Sequence, residues 1–151
     1  MRFPATLLLA FFALSSPAAA QTFESTHSAR ASGGDFGAET LALINAYRVR
    51  KGLSPLVPNA TLRALARQHS QYQARHRKLG HDGYRQRSAR AAAAGLTLRC
   101  AENAGRDYRN AQQLFTGWRR SSGHNRNLLR PNLRYAGVSV VGAYSTFFAC
   151  G

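Results

Sequence analysis

Apolar residues first recur with a helical period near residue 38. In residues 38–52 they return at steps of three, and the closing glycine predicts the end of a first helix. Residues 53–58 contain two prolines and predict an extended connector. In residues 59–80 a second apolar stripe predicts a longer helix, capped by Asn59 or Thr61 and ended by the final glycine.

Three polar residues interrupt these apolar stripes. Asn45 and Arg48 share one face of the first helix, and His69 lies inside the stripe of the second. Buried polar groups in proteins are nearly always hydrogen-bonded. We therefore expect Asn45 and Arg48 to bind neighbouring loops, and His69 to be a hydrogen-bonded core histidine.

The second half of the chain mixes strand and helix patterns. Residues 88–94 predict a short helix, and residues 96–100 alternate as a strand does. Asn110 can cap a further helix. Residues 135–150 are rich in valine, tyrosine and phenylalanine and predict a hairpin that turns at Gly142. This order of elements predicts an α+β fold in which helices pack on a small, mainly antiparallel sheet.

The stretch from Gly117 to Pro131 combines the single tryptophan with a break between two helices. Residues 121–123, Ser-Ser-Gly, favour helix ends, so a second short helix starts there and stops before the proline. His124 then lies in its first turn, where the helix dipole disfavours an imidazolium. A neutral imidazole can bind a metal or accept a proton. A plain surface histidine in a turn is the alternative.

The N-terminus predicts the compartment. Residues 1–20 combine Arg2, a short apolar run and Ala18-Ala19-Ala20, as a secretory signal peptide does. Cleavage near Ala20/Gln21 would deliver a secreted or periplasmic protein. Residues 21–37 have the composition of a flexible linker, which leaves a folded domain at residues 38–151. The apolar run is too short to span a bilayer, so we expect no transmembrane segment.

The chain is strongly basic. Its 151 residues include 21 Lys and Arg against 6 Asp and Glu, which gives a formal net charge of +15. Such an excess attracts anionic surfaces, which are nucleic acid, phospholipid headgroups or the polyanionic polymers of a cell envelope. A general arginine bias of the whole sequence is the alternative. No nucleic-acid-binding motif is present, so we expect no specific nucleic-acid partner, and we expect a monomer.

The two cysteines, Cys100 and Cys150, suit an oxidising compartment. Each ends a predicted strand, and neighbouring strands bring such ends within bridging distance. We expect a disulfide between them. Two free, buried thiols are the alternative.

Several short motifs in a fixed order resemble the CAP superfamily, also called the SCP-like family, which includes cysteine-rich secretory proteins, antigen 5 and pathogenesis-related 1 proteins. The similarity is greatest to the bacterial, secreted branch and spans residues 38–151. It implies a three-layer α-β-α sandwich with an open cleft. The matching motifs are Leu43-Ile44-Asn45-Ala46-Tyr47-Arg48, Gly52-Leu53-x-Pro55-Leu56, Asn59-x-x-Leu62-x-x-x-Ala66-x-x-His69-Ser70, His81, Glu102-Asn103, Trp118-x-x-Ser121-x-Gly123-His124-x-x-Asn127-x-Leu129 and Gly137-Val138.

The resemblance also implies a cleft chemistry, which this sequence matches in part. Many eukaryotic members carry two histidines and two glutamates there, and His81 and Glu102 match one of each. Serines stand where the others would fall, and the bacterial pattern places His124 nearby, with Asn103 beside Glu102. Two imidazoles and one carboxylate could hold zinc or another divalent cation with an open position.

Two alternatives to a metal site remain for these residues. They could form a hydrogen-bonded network that fixes loops, or Glu102 could pair with Arg99 or Arg106.

Three functions follow from this site and charge. The first is a binding module whose cleft takes a lipid, a small molecule or an envelope component, with or without a divalent metal. The second is a metal-assisted hydrolase with Glu102 or His124 as base. The third is a basic envelope protein that binds anionic polymers. We favour the first, because no serine or cysteine nucleophile with a paired base is visible and the resemblance implies no shared activity.

Overall fold

The computed structural model describes residues 35–97 and 99–151. The predicted signal peptide and nearly all of the predicted linker lie outside the described residues. None of the described helices has both the length and the apolar character needed to cross a bilayer. The elements are α1 (Phe36–Arg50), β1 (Val57–Pro58), α2 (Ala60–His76), α3 (Tyr84–Ala93), β2 (Cys100–Arg106), α4 (Ala111–Arg120), α5 (Ser122–Leu128), β3 (Tyr135–Val141) and β4 (Tyr144–Cys150).

The four strands form one sheet in the order β1-β3-β4-β2. The short strand β1 runs parallel to β3, whereas β3 with β4 and β4 with β2 are antiparallel. The predicted small, mainly antiparallel sheet is therefore confirmed. The hairpin of β3 and β4 turns at Gly142, whose φ of 57° suits a residue without a side chain.

The helices cover both faces of the sheet. Alternation along β4 points Phe147 into a core shared with α1, α4 and α5, which contains the fully buried Trp118. The next residue, Phe148, points into a second core shared with α2 and α3. This arrangement is the three-layer α-β-α sandwich expected from the sequence.

The second strand departs from the prediction. The sequence predicted a central strand that ends at Cys100, but β2 begins there and lies at the edge of the sheet. Its alanines, asparagine and glycine have low strand propensity. Seven register pairs with β4 and burial of residues 100–105 override that propensity.

Helix ends also differ from the prediction by a few residues. The first helix starts at Phe36 because Asp35 caps it, so residues 35–37 belong to the fold and not to a linker. The second helix ends at His76, where Arg77 takes a left-handed conformation with φ 49°. The sequence had placed that end at Gly80, whose N–H is instead held by a side-chain oxygen of α2.

The polar residues of α1 bind loops, as predicted. The Asn45 amide exchanges two hydrogen bonds with the backbone of Leu56, of 2.8 and 2.9 Å. Arg48 is fully buried and donates to three carbonyls, those of Ser54, Leu128 and Arg130. Together they fix α1 to the connector and to the end of α5.

The predicted disulfide joins Cys100 and Cys150. The two cysteines are direct partners in the antiparallel register of β2 and β4. The predicted pair is correct, but the predicted geometry is not. Cys150 ends a strand as expected, whereas Cys100 begins β2 and does not end a strand. The bond ties the start of the edge strand β2 to the end of β4.

Candidate functional site

Glu102 is the centre of the candidate site, on β2. Its side chain points to the α2–α3 face, and the residue is only 4% exposed. Arg87 of α3 donates to both carboxylate oxygens, from Nε at 2.7 Å and from Nη2 at 2.8 Å. His81 donates from Nδ1 to Oε1 at 2.9 Å. Both oxygens are therefore occupied by donors from the protein.

These donors keep the carboxylate ionised. Burial alone would raise the pKa of Glu102, but hydrogen bonds from His81 and Arg87 and the charge of Arg87 hold it below its ordinary value. The ion pair is buried on both sides, so a missing partner would leave an uncompensated charge.

His69 closes the inner side of this cluster. Its Nε2 donates to the carbonyl oxygen of Gly80 at 2.8 Å and lies 3.6 Å from Glu102 Oε1. Burial lowers the pKa of His69, which opposes the attraction of the neighbouring carboxylate. The hydrogen-bonded core histidine predicted from the sequence is confirmed.

His81 forms the outer rim. It follows α2 in the chain, and about half of its side chain is exposed, at 53%. The hydrogen bond to Glu102 raises the pKa of His81. The buried carboxylate therefore holds the ring in position at the surface and favours its protonated form.

Asn103 of β2 faces α5, the helix that carries His124. Asn103 donates from Nδ2 to the carbonyl oxygen of His124 at 3.1 Å. Asn127 donates both to Asn103 Oδ1 and to the carbonyl oxygen of Glu102, at 2.9 Å each. The start of α5 is thus fixed to the edge strand by two side-chain amides.

The His124 ring is half-buried. Burial lowers its pKa, and the positive charge of nearby His81 lowers it further. The neutral imidazole predicted from the sequence is consistent with this direction, but burial is the first cause and not the helix dipole. The two imidazoles are close enough to interact, while only His81 binds Glu102.

The arrangement does not fit a zinc ion. Within residues 35–97 and 99–151, no group of three or more His, Cys, Asp or Glu side chains could hold a metal. A cation at Glu102 would have to displace Arg87 or share the carboxylate with its positive charge. The contacts that the structure shows have the form of the alternative, a hydrogen-bonded network. Zinc binding by His81, Glu102 and His124 stays a prediction.

Sequence reasoning missed the partner of Glu102. It considered Arg99 and Arg106, but Arg106 pairs with Asp107 and the guanidinium at Glu102 belongs to Arg87. Arg87 lies on α3, which the sequence began at residue 88, and only tertiary packing brings α3 over β2. Had the helix been started at Gly83, Arg87 would have fallen on its buried face.

The chain matches the family model of the cysteine-rich secretory protein family, CAP, over residues 41–151. It is 30% identical over 128 residues to the protein YkwD of Bacillus subtilis (strain 168), which covers 83% of this chain. The chain spans about half, 50%, of the length of that curated relative.

Solved structures share the fold. An extracellular protein with an SCP domain from Bacillus anthracis is 22% identical, with a TM-score of 0.69 over 76% of this chain and 40% of that one. A cysteine-rich secretory protein from Staphylococcus aureus is also 22% identical, with a TM-score of 0.64 over 76% and 38%. An outer surface protein from Borrelia burgdorferi is 15% identical, with a TM-score of 0.65 over 73% and 87%. These structures show the shared fold, and the match of the family model over residues 41–151 shows that the chain belongs to the CAP, or cysteine-rich secretory protein, family.

Proposed function

We propose that this protein is a secreted CAP-domain binding module. Its cleft, defined by His81, Glu102, Asn103 and His124, takes a lipid headgroup, a small polar molecule or an envelope component. The observation that carries this proposal is the double occupation of Glu102 by Arg87 and His81. The carboxylate positions His81 and is not free to act on a substrate.

The same observation argues against the hydrolase alternative. A general base must accept a proton from water, yet the pKa of Glu102 is held low by its donors although burial opposes them. His124 remains a neutral acceptor, but no side chain that would orient it is hydrogen-bonded to its ring among the described residues. The cleft thus has hydrogen-bonding groups without an activated nucleophile.

Secretion is supported by sequence and by likeness. Residues 1–20 have the pattern of a signal peptide, and the related structures include proteins titled as extracellular or outer-surface. A periplasmic location fits the same observations. The described disulfide also suits an oxidising compartment.

Native mass spectrometry of protein purified from its own periplasm or medium tests this function. We expect a retained organic ligand, whose occupancy falls in His81→Ala and His124→Ala variants. His76→Ala, an exposed histidine of α2 outside the cleft, is the matched control. A retained zinc ion and no organic mass would overturn the proposal in favour of the metal site.

A second candidate function, binding of anionic envelope polymers, rests on the distribution of charge. Residues 35–97 and 99–151 contain five acidic side chains, and four of them pair with a cation. Nearly all other cations in this part of the chain are therefore uncompensated. We expect retention on heparin that weakens steeply with added salt, because screening reduces interactions between exposed charges. Retention unchanged by salt would rule this function out.

A further inference from the structure

A groove between α2 and α3 lies behind the Glu102 cluster and has no role in the cleft. It has a volume of about 310 Å³, at the lower end of ligand sites, which suits one or two sugar rings of a longer saccharide. Residues at helical spacing face each other across it. On one side are Gln68, Tyr72 and Arg75 of α2, and on the other Gln86 and Arg90 of α3.

The groove carries positive charge that the protein does not neutralise. Arg75 and Arg90 are exposed, and neither forms an ion pair with a described residue. Arg90 Nη1 donates to Gln68 Oε1 at 3.1 Å, which holds the guanidinium across the groove. The single acid in the lining, Asp82, is bound to Lys78 at 2.9 Å. The groove can therefore attract an anionic group.

A buried acceptor in the same lining lacks a partner. His69 is 2% exposed and lines the groove, and its Nδ1 is buried without a hydrogen bond from any described residue. Because Nε2 donates to Gly80, Nδ1 carries the lone pair. A buried acceptor without a donor is costly, so a hydroxyl group in the groove would be stabilised there.

We propose that the α2–α3 groove binds an acidic saccharide, a sugar that bears a carboxylate, phosphate or sulfate beside its hydroxyl groups. Arg75 and Arg90 bind the anion, and His69 Nδ1 accepts a hydrogen bond from a hydroxyl. A bare inorganic anion would satisfy the guanidiniums but not the histidine, and a neutral sugar would do the reverse. This inference rests on the proposed binding of anionic envelope polymers and assigns that binding a site.

Calorimetry with three small probes tests this assignment on the full mature chain. The probes are trigalacturonate, its uncharged counterpart α-1,4-galactotriose, and inorganic sulfate. We expect trigalacturonate to bind most tightly, and NMR to show shifts of the His69 ring and of the Gln68 and Gln86 side-chain amides. Equal binding of trigalacturonate and sulfate would overturn the role of His69.

Charge-matched variants separate the groove from the general field of the protein. Arg75→Gln with Arg90→Gln should weaken trigalacturonate binding about tenfold, as expected for the loss of two exposed ion pairs. Arg109→Gln with Arg120→Gln removes the same charge at the two ends of α4, from exposed residues of the opposite layer, and should change it by less than about threefold.

Heparin retention of these proteins separates the proposed groove site from the more general proposal that the protein binds anionic polymers. If both double variants lose heparin retention equally, the polymer function stands and the groove is wrong. If wild-type protein does not bind heparin at all, the polymer function fails. Trigalacturonate binding confined to the groove would then still support the saccharide site by itself.

Discussion

At the residue scale, Glu102 joins three elements that are distant in the sequence. Arg87 binds it from α3, His81 from the loop after α2, and Asn127 of α5 binds its backbone oxygen. An ionised carboxylate with two guanidinium bonds in a buried site is stable only while its partners remain. Through its side chain and its backbone oxygen, Glu102 therefore holds α3, the loop after α2 and α5 together.

Because Glu102 and Arg87 form a buried ion pair, we expect the effects of their substitutions on the free energy of unfolding to be strongly non-additive. Glu102→Leu should lower the free energy of unfolding by about 3–5 kcal/mol, since Arg87 would stay buried without a charged partner. The double variant Glu102→Leu with Arg87→Met should cost much less than the sum of the two single changes. Urea unfolding of all four proteins of the cycle measures this. Additive losses would show that the two side chains do not depend on each other.

His81 predicts a dependence of stability on pH. Its pKa is raised in the folded protein, so its bond to Glu102 contributes fully below the unfolded value and is lost as pH rises through the folded one. The loss of stability caused by His81→Ala should therefore be larger near about pH 5.5 than near about pH 8.5. His76→Ala, whose ring packs on Tyr72 and touches no carboxylate, is the control. The same loss at both pH values would contradict the bond.

At the element scale, a glycine of β3 lies at the point where the sheet packs against α2. A Cβ added to Gly137 of β3 would lie 2.6 Å from the carbonyl carbon of Leu62 and closer still to the backbone of Arg63. Backbone atoms at the start of a capped helix cannot move aside cheaply. The close packing of β3 on α2 thus requires a residue without a side chain.

Gly137→Ala should therefore destabilise the fold by about 2 kcal/mol or more, as overpacking does. Gly123→Ala is the matched control, because the nearest atom to a Cβ there is the mobile guanidinium of Arg126 at 3.8 Å. That change should be neutral or slightly stabilising, since alanine favours a helix. Thermal unfolding compares them, and equal melting temperatures would contradict the tight contact.

The elements also show what the sequence could predict. The predicted hairpin at residues 135–150 is present in the structure, because its residues favour strands and its turn is formed by residues that are neighbours in the sequence. The strand at residues 100–106 was misplaced because its pairing with β4, 38 to 50 positions away, determines it. For the same reason the sequence identified Glu102 but not Arg87, since nothing local connects α3 to β2.

At the scale of the whole molecule, the disulfide closes a loop of 50 residues that contains β2, α4, α5 and the hairpin. In the chain-entropy model a loop of that size stabilises the fold by about 4 kcal/mol. Reduction, or Cys100→Ala with Cys150→Ala, should lower the melting temperature by many degrees. Two alkylated thiols in unreduced protein from its native compartment would contradict the bridge.

The buried ion pair of Glu102 and Arg87 also links the edge strand β2 to the helices of one layer. Arg87 and His69, the two residues next to the carboxylate on that side, line the groove between α2 and α3. The proposed binding site at His81 depends on Glu102 being bound by protein side chains and not by a metal.

Zinc calorimetry on metal-free wild type and His124→Ala tests that claim most directly. Because Glu102 is occupied by Arg87 and His81, we expect the same weak heats of zinc addition for both proteins, with no stoichiometric binding. Tight binding of one zinc ion per chain that disappears in His124→Ala would contradict it, and would restore the site formed by His81, Glu102 and His124.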